Sequence, residues 1–215
     1  MKKNVFVPVI VAALLSACGQ NKKEDNTESV QQSPATDSVA KQPDAPLDSA
    51  SMMKAWESYM TPGQMHQWMA ESDGEWDANF TFWMSADTNV SDKSSATVTN
   101  KMIMGGRYQQ SDYKGNMGGM PFEGRSVMAY DNASKKFVNT WHDNMGTGLM
   151  YMTGQYDEAN KSLNLSGTSV DPMTGKEHGM RQVYKIINNK HHVMEMFDDK
   201  GAGEYRSMKV HLTKK

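Results

Sequence analysis

Trp76-Asp77-Ala78-Asn79-Phe80-Thr81-Phe82-Trp83-Met84 alternates with a period of two. Trp76, Ala78, Phe80, Phe82 and Met84 share one face, and Asp77, Asn79 and Thr81 the other. Successive side chains of a strand point to opposite sides, so this spacing predicts a strand with one buried face. Downstream the alternation recurs between short turn sequences. It predicts strands near 75–84, 95–104, 107–113, 122–130, 136–142, 149–156, 162–169, 177–187, 191–197 and 204–212. The connections 131–135, 157–161 and 171–175 each begin with an aspartate, whose carboxylate can bond the backbone downstream and favour a tight turn. Asn188-Asn189 and Gly201-Ala202-Gly203 complete the turn set. Strands joined this tightly are antiparallel neighbours. The expected fold is mainly β: an antiparallel up-and-down meander of about ten strands, closed or nearly closed into a barrel because closure removes exposed edges.

Upstream the period lengthens. Met52, Met53, Trp56, Tyr59 and Met60 recur at three and four, as on one face of an amphipathic helix. Thr61 is the expected cap of a second helix, with Pro62 at its first position and Met65, Trp68 and Met69 as its apolar stripe. The two short helices would plug or cover one end of the barrel.

Before them lies a segment that cannot build a core. Residues 19–50 contain no aromatic side chain, three prolines (Pro34, Pro43, Pro46) and mostly Gln, Asn, Ser, Lys, Asp and Glu. Such a stretch buries too little apolar surface to offset its ordering entropy. As a flexible tether it would span roughly 30 Å. Ahead of it, Lys2 and Lys3 precede the apolar run Val5–Leu15, the layout of a secretory leader. The run is too short to cross a bilayer as a helix, which takes about 20 residues. Leu15-Ser16-Ala17-Cys18 resembles the bacterial lipoprotein cleavage box. That resemblance implies a signal peptide over 1–17, a lipidated (palmitate-bearing) Cys18 opening a disordered tether over 18–50, and a β-barrel domain over 51–215. The implied partner is the lipid bilayer, and the implied place is the cell envelope. Gly19 directly after Cys18, with no aspartate at that position to retain the protein, is similar to the outer-membrane-directed type.

Charge and cysteine usage exclude several functions. Without the +2 of residues 1–17 and the −3 of 18–50, the formal net charge of −2 becomes −1 for the domain. No basic cluster marks a nucleic-acid surface. Cys18 is the single cysteine, so the domain has no disulfide, thiol nucleophile or thiolate ligand.

Several ordered blocks carry a family resemblance. They include Met60-Thr61-Pro62-Gly63 with His66, Gly74-Glu75-Trp76, Met104-Gly105-Gly106-Arg107-Tyr108 and Gly119-Met120-Pro121-Phe122-Glu123-Gly124. Further on are Tyr130-Asp131, Trp141-His142-Asp143-Asn144-Met145-Gly146-Thr147-Gly148 and Asp171-Pro172-Met173-Thr174-Gly175-Lys176. From about residue 60 onward the chain resembles the bacterial domain of unknown function 1579 family, which implies no established activity. Gly74-Glu75-Trp76 is also similar to the opening of lipocalin-like barrels, where the tryptophan packs under a basic residue of the last strand. Arg206 is the expected partner of Trp76.

The sequence marks no catalytic residue. It has no Gly-x-Ser-x-Gly, no His-Glu-x-x-His and no phosphate-binding glycine loop. Residues 198–204 lack the alternating acidic ligands of a calcium loop. No cofactor is expected, although a haem variant would use His142, His191 or His192 as axial ligand.

Two readings remain beside a structural envelope role. A ten-stranded barrel is wide enough for a small apolar ligand. Its expected contacts are Arg107, Tyr108, Glu123, Arg125, Tyr130, Trp141, His142, Asp143 and Glu195, with Phe122 and Arg181 beside them. The alternative rests on the 19 methionines after Met1. Thioethers near histidines suit soft Cu(I) or oxidant scavenging, with His66 beside Met65 and Met69, and His191 and His192 beside Met194 and Met196. Methionine also fills irregular cores.

Overall fold

The computed structural model describes residues 48–215 apart from positions 88 and 90, so the expected leader, Cys18 and nearly all of the tether lie outside the described residues. Two helices, α1 (Ser49–Met60) and α2 (Gln64–Ala70), precede ten strands. These are β1 (Gly74–Phe82), β2 (Asp92–Ile103), β3 (Tyr108–Met117), β4 (Met120–Asp131) and β5 (Lys136–Asp143). They continue as β6 (Met150–Asp157), β7 (Ser162–Val170), β8 (Glu177–Asn188), β9 (His191–Asp199) and β10 (Glu204–Lys214). Every neighbouring pair is antiparallel. β1 closes the barrel by pairing with both β2 and β10, for example Phe80 opposite Ser94 and opposite Val210.

The predicted turn chemistry is present. Asp131 accepts from the Ala133 N–H, Asp157 from Asn160 and Asp171 from Met173 and Thr174. The β2–β3 and β3–β4 turns bring Gly105, Gly106, Gly118 and Gly119 to positive φ, where a side chain would be strained. A bulge between Arg206 and Met208 turns two successive residues, Ser207 and Met208, toward the interior.

The helices differ from the sequence expectation in two ways. Thr61 does not cap α2; its N–H and hydroxyl both return to the Glu57 carbonyl and terminate α1. The α2 cap is Gly63, whose N–H donates to His66 Nδ1 at 3.0 Å. The second difference is that α1 buries none of its residues. It begins at Ser49, capped by Asp48, two residues ahead of the expected domain boundary. Only α2 acts as a plug. Its Met69 is buried against Phe137, Met152, Leu163, Leu165 and Met196, and Trp68 packs on the same cluster. A second apolar cluster on the other side of the barrel includes Trp76, Phe80, Val98, Phe122 and Val210.

Trp76 is fully buried, and its indole N–H donates to the Ser72 carbonyl at 2.8 Å. A basic residue of the last strand does lie over it, but it is Lys214, with Nζ 5.4 Å from the ring centroid. Arg206 lies 4.5 Å over Trp83 instead and donates to Glu195 at 2.8 Å. The reason is register: Trp76 is opposite Lys214 in the β1–β10 ladder, whereas Arg206 sits beyond the end of β1.

Candidate functional site

The two apolar clusters leave the barrel centre unfilled. A cavity of ≈530 Å³ lies between them, a size common for small-molecule sites. Its floor is α2 through Trp68 and Met69. Its lining reaches Met84 and Met145, both exposed at the opposite end, so the cavity opens there. The mouth is aromatic and thioether-rich, with Phe82, Trp83, Met117, Phe122 and Tyr205.

Deeper in the barrel the wall carries uncharged polar side chains. Asn100, Gln109, Ser126, Asn139 and Gln182 are all buried and all line the cavity. Gln109 braces the plug, donating to the Met69 carbonyl and to Asp73, while its Oε1 lies 3.0 Å from Ser72 Oγ. Asn100 donates to the Ser72 carbonyl at 2.9 Å, and its Oδ1 has no partner. The Ser126 hydroxyl donates to Asn139 Oδ1 at 2.6 Å, which leaves the Asn139 Nδ2 group free. Gln182, only 3% exposed, makes no hydrogen bond to a described residue. Nor does the Tyr113 hydroxyl, whose pKa burial pushes up to about 12, so it stays protonated. Tyr184, another lining residue, shares a hydrogen bond with His192 Nδ1 at 2.5 Å.

Among the described residues, three charged ones line the cavity, all at the mouth: Asp143, Asp198 and Lys200. Asp143 accepts from the Trp141 indole at 2.7 Å and from the Met145 N–H at 2.9 Å. Lys200 is held by Asp171 at 3.0 Å, and that ion pair, with the Met173 and Thr174 N–H groups, lowers the Asp171 pKa to about 2. Asp198 Oδ1 is enclosed and has no partner.

The residues expected as ligand contacts divide between the two sides of the wall. Trp141 and Asp143 line the cavity, as does Phe122. Tyr130 packs at the plugged end against His66 and Phe137 and does not line the cavity. Tyr108, Glu123, Arg125, His142, Arg181 and Glu195 have the outward parity of their strands. Tyr108 precedes inward Gln109, Glu123 lies between Phe122 and Gly124, and Glu195 lies between Met194 and Met196. A charge is costly to enclose and these take partners outside. Arg125 pairs with Asp112 at 2.6 Å, Arg181 with Glu204 at 2.6 Å, and Glu123 with Lys114 at 3.9 Å. Arg107 lies in the exposed β2–β3 turn and donates to the Met60 carbonyl, tying that turn to the end of α1.

The histidines are also divided. His142 is exposed, and His191 Nε2 lies 3.1 Å from His211 Nδ1 on the outer wall. His192 points inward with Met194 and Met196, its ring tilted by 39° against Trp76 with the centroids 4.2 Å apart. His66 spends its Nδ1 on the α2 cap. Among the described residues no three His, Cys, Asp or Glu side chains gather as a metal site would require.

The polar wall was readable by parity. Asn139 stands between Phe137 and Trp141, Gln182 between Met180 and Tyr184, and Asn100 between Val98 and Met102. An uncharged polar residue in phase with the apolar face of a strand is therefore the signal, and choosing the charged strand residues passes over it.

A model of the family described as protein of unknown function (DUF1579) matches residues 61–214. Among solved structures, Rv2717c from M. tuberculosis is similar, with a TM-score of 0.52 and 12% identity over 72% of this chain and 99% of that one. At that identity the likeness concerns the fold. No curated protein matches the chain.

Proposed function

The chain belongs to the DUF1579 family of proteins of unknown function, and from the cavity that its barrel encloses we propose that it is a binding vessel for a small, largely apolar molecule. The observation that carries this reading is the set of neutral polar groups on the cavity wall left without a partner among the described residues: Asn100 Oδ1, Asn139 Nδ2, the Tyr113 hydroxyl and the Gln182 amide. Of these, Asn100 Oδ1 is sealed from solvent, where a missing hydrogen bond costs about 1–3 kcal/mol. Thioether and aromatic walls supply an adaptable apolar surface around them. Among the described lining residues no serine hydroxyl bonds a histidine or a carboxylate, and burial raises the pKa of the Tyr184 hydroxyl beside His192, so binding rather than catalysis is the favoured reading.

The residues before the barrel support a second part of the proposal: the domain is held at a membrane surface of the cell envelope, the outer membrane by the Gly19 criterion, through acylated Cys18. More than one acyl chain is needed for a stable anchor. Metabolic labelling with an alkyne fatty acid should mark the chain and fail to mark Cys18→Ala.

The vessel reading is tested by native mass spectrometry with metal analysis on protein from its own host. A co-purifying organic molecule supports it. Stoichiometric copper would move the function to the methionines. An apo mass, together with failure to take up any apolar dye, would sink it.

A further inference from the structure

We propose that the cavity selects apolar molecules bearing an uncharged hydrogen-bonding group, such as a primary amide or alcohol, and rejects carboxylates. This inference rests on the vessel reading and names its ligand class.

Below the mouth, where Asp198 lies, the unpartnered groups of the wall are neutral, and they are of both kinds. Asn139 Nδ2 and the Tyr113 hydroxyl are donors, Asn100 Oδ1 is an acceptor, and the Gln182 amide is both. They come from β2, β3, β5 and β8, and Tyr113, Asn139 and Gln182 stand near the middle of their strands. A neutral head that both gives and accepts hydrogen bonds would satisfy several of them at once. Its apolar body would then extend toward Phe82, Met117 and Met145 at the mouth.

A carboxylate meets the opposite situation. Losing water is expensive for an ion unless a counter-charge replaces it. Lys200 is the single cation among the described lining residues, and Asp171 already holds it at 3.0 Å. The guanidinium groups of Arg181 and Arg206 are engaged outside by Glu204 and Glu195. An entering anion would instead pass Asp143 and the unpartnered Asp198 Oδ1. The enclosed carboxylate at the entrance thus acts as a charge filter, and the neutral wall below it as the recognition surface.

The test uses the full chain carrying Cys18→Ala and the neutral dye N-phenyl-1-naphthylamine, which fluoresces in apolar surroundings. Dodecanamide and dodecanoate are compared as displacers at pH 8, where the acid is ionised. The amide should displace the dye at a concentration at least tenfold below that of the acid. Gln182→Leu should weaken the amide at least fivefold. Asp198→Asn, which removes a carboxylate charge at the mouth and keeps the side-chain volume, should narrow the gap between amide and acid at least threefold. If the acid displaces the dye as well as the amide does, the ligand class is overturned while the vessel reading stands. A preference for amide that is unchanged in both variants also overturns it, because the selectivity would then arise elsewhere. Absence of dye binding overturns both readings.

Discussion

The indole of Trp141 occupies the space where a β-carbon of Gly124 would stand. A methyl built on Gly124 meets the ring at 2.5 Å (Cη2) and 2.6 Å (Cζ2). The ring is fixed from other sides as well, by the bond from its N–H to Asp143 and by an edge-to-face contact with Tyr113 at 5.0 Å. Gly124 and Trp141 are thus one unit of the cavity wall, contributed by adjacent strands.

Gly124→Ala should therefore displace Trp141 and cost about 1–3 kcal/mol, the usual range for overpacking a filled site. Urea unfolding would give the stability change and dye titration the binding change. A variant that keeps wild-type stability and dye affinity would show that the glycine does not position the ring.

His192 gives the barrel a pH dependence in a defined window. Burial is the main cause that lowers its pKa from 6.5 to about 4, with Lys214 and His191 adding to the effect. The unfolded chain therefore takes up a proton that the folded one refuses between pH 6.5 and 4. Stability is complete above that window and falls through it, by roughly 3 kcal/mol at pH 4. His66 and His211 are lowered too and act in the same direction. The Asp171 carboxylate titrates below the window. His192→Gln should flatten most of the decline between pH 7 and 4 in chemical unfolding, and an unchanged slope would remove His192 as its source.

The ten strands were legible because nearly every one alternates cleanly and ends at a glycine or aspartate turn. In β1, for example, Trp76, Ala78 and Phe80 all face inward, as their spacing implies. Barrel closure followed from strand count and short connections. Less was legible in the helices, where a three-four repeat of Met and Trp reads as a buried face whether or not a partner surface exists, and α1 has none among the described residues. In the candidate site, Trp141 and Asp143 were accessible because they end a strand beside a turn. The amide wall was signalled by parity alone, because Asn100, Asn139 and Gln182 stand in phase with apolar neighbours, whereas charged strand residues carry the stronger polar signal and parity puts them outside. The Trp83–Arg206 contact was hidden for another reason: the bulge at 206–208 resets the register, and no sequence pattern marks it.

That contact is open to a direct test. Arg206 covers Trp83 and is fixed by Glu195, while Lys214 covers Trp76. A cation–π contact contributes about 0.5–2 kcal/mol. A double-mutant cycle of Arg206→Met with Trp83→Leu should therefore give a coupling energy of that order. The corresponding cycle of Arg206→Met with Trp76→Phe should give a value near zero. A coupling that appears with Trp76 instead would return Arg206 to the partner that the sequence suggested.

The two helices make unequal contributions to stability, and this separates plug from appendage. Met69 of α2 is 1% exposed and seals the cavity floor, so Met69→Ala removes buried volume where the strands cannot collapse. Core truncations of this kind cost about 2–5 kcal/mol. α1 exposes Met53 and Trp56 by more than half and is tied to the barrel by three Asn132 contacts to the Ser58, Tyr59 and Thr61 carbonyls and by one from Arg107 to the Met60 carbonyl. Surface contacts like these change stability by about 0.5 kcal/mol or less. Deleting residues 49–58 should consequently leave the unfolding midpoint of the barrel nearly unchanged, whereas Met69→Ala should lower it strongly and increase the dye's access from the closed end. If deletion of α1 destabilised the barrel as much as Met69→Ala, α1 would have to contribute packing that its exposed side chains do not show.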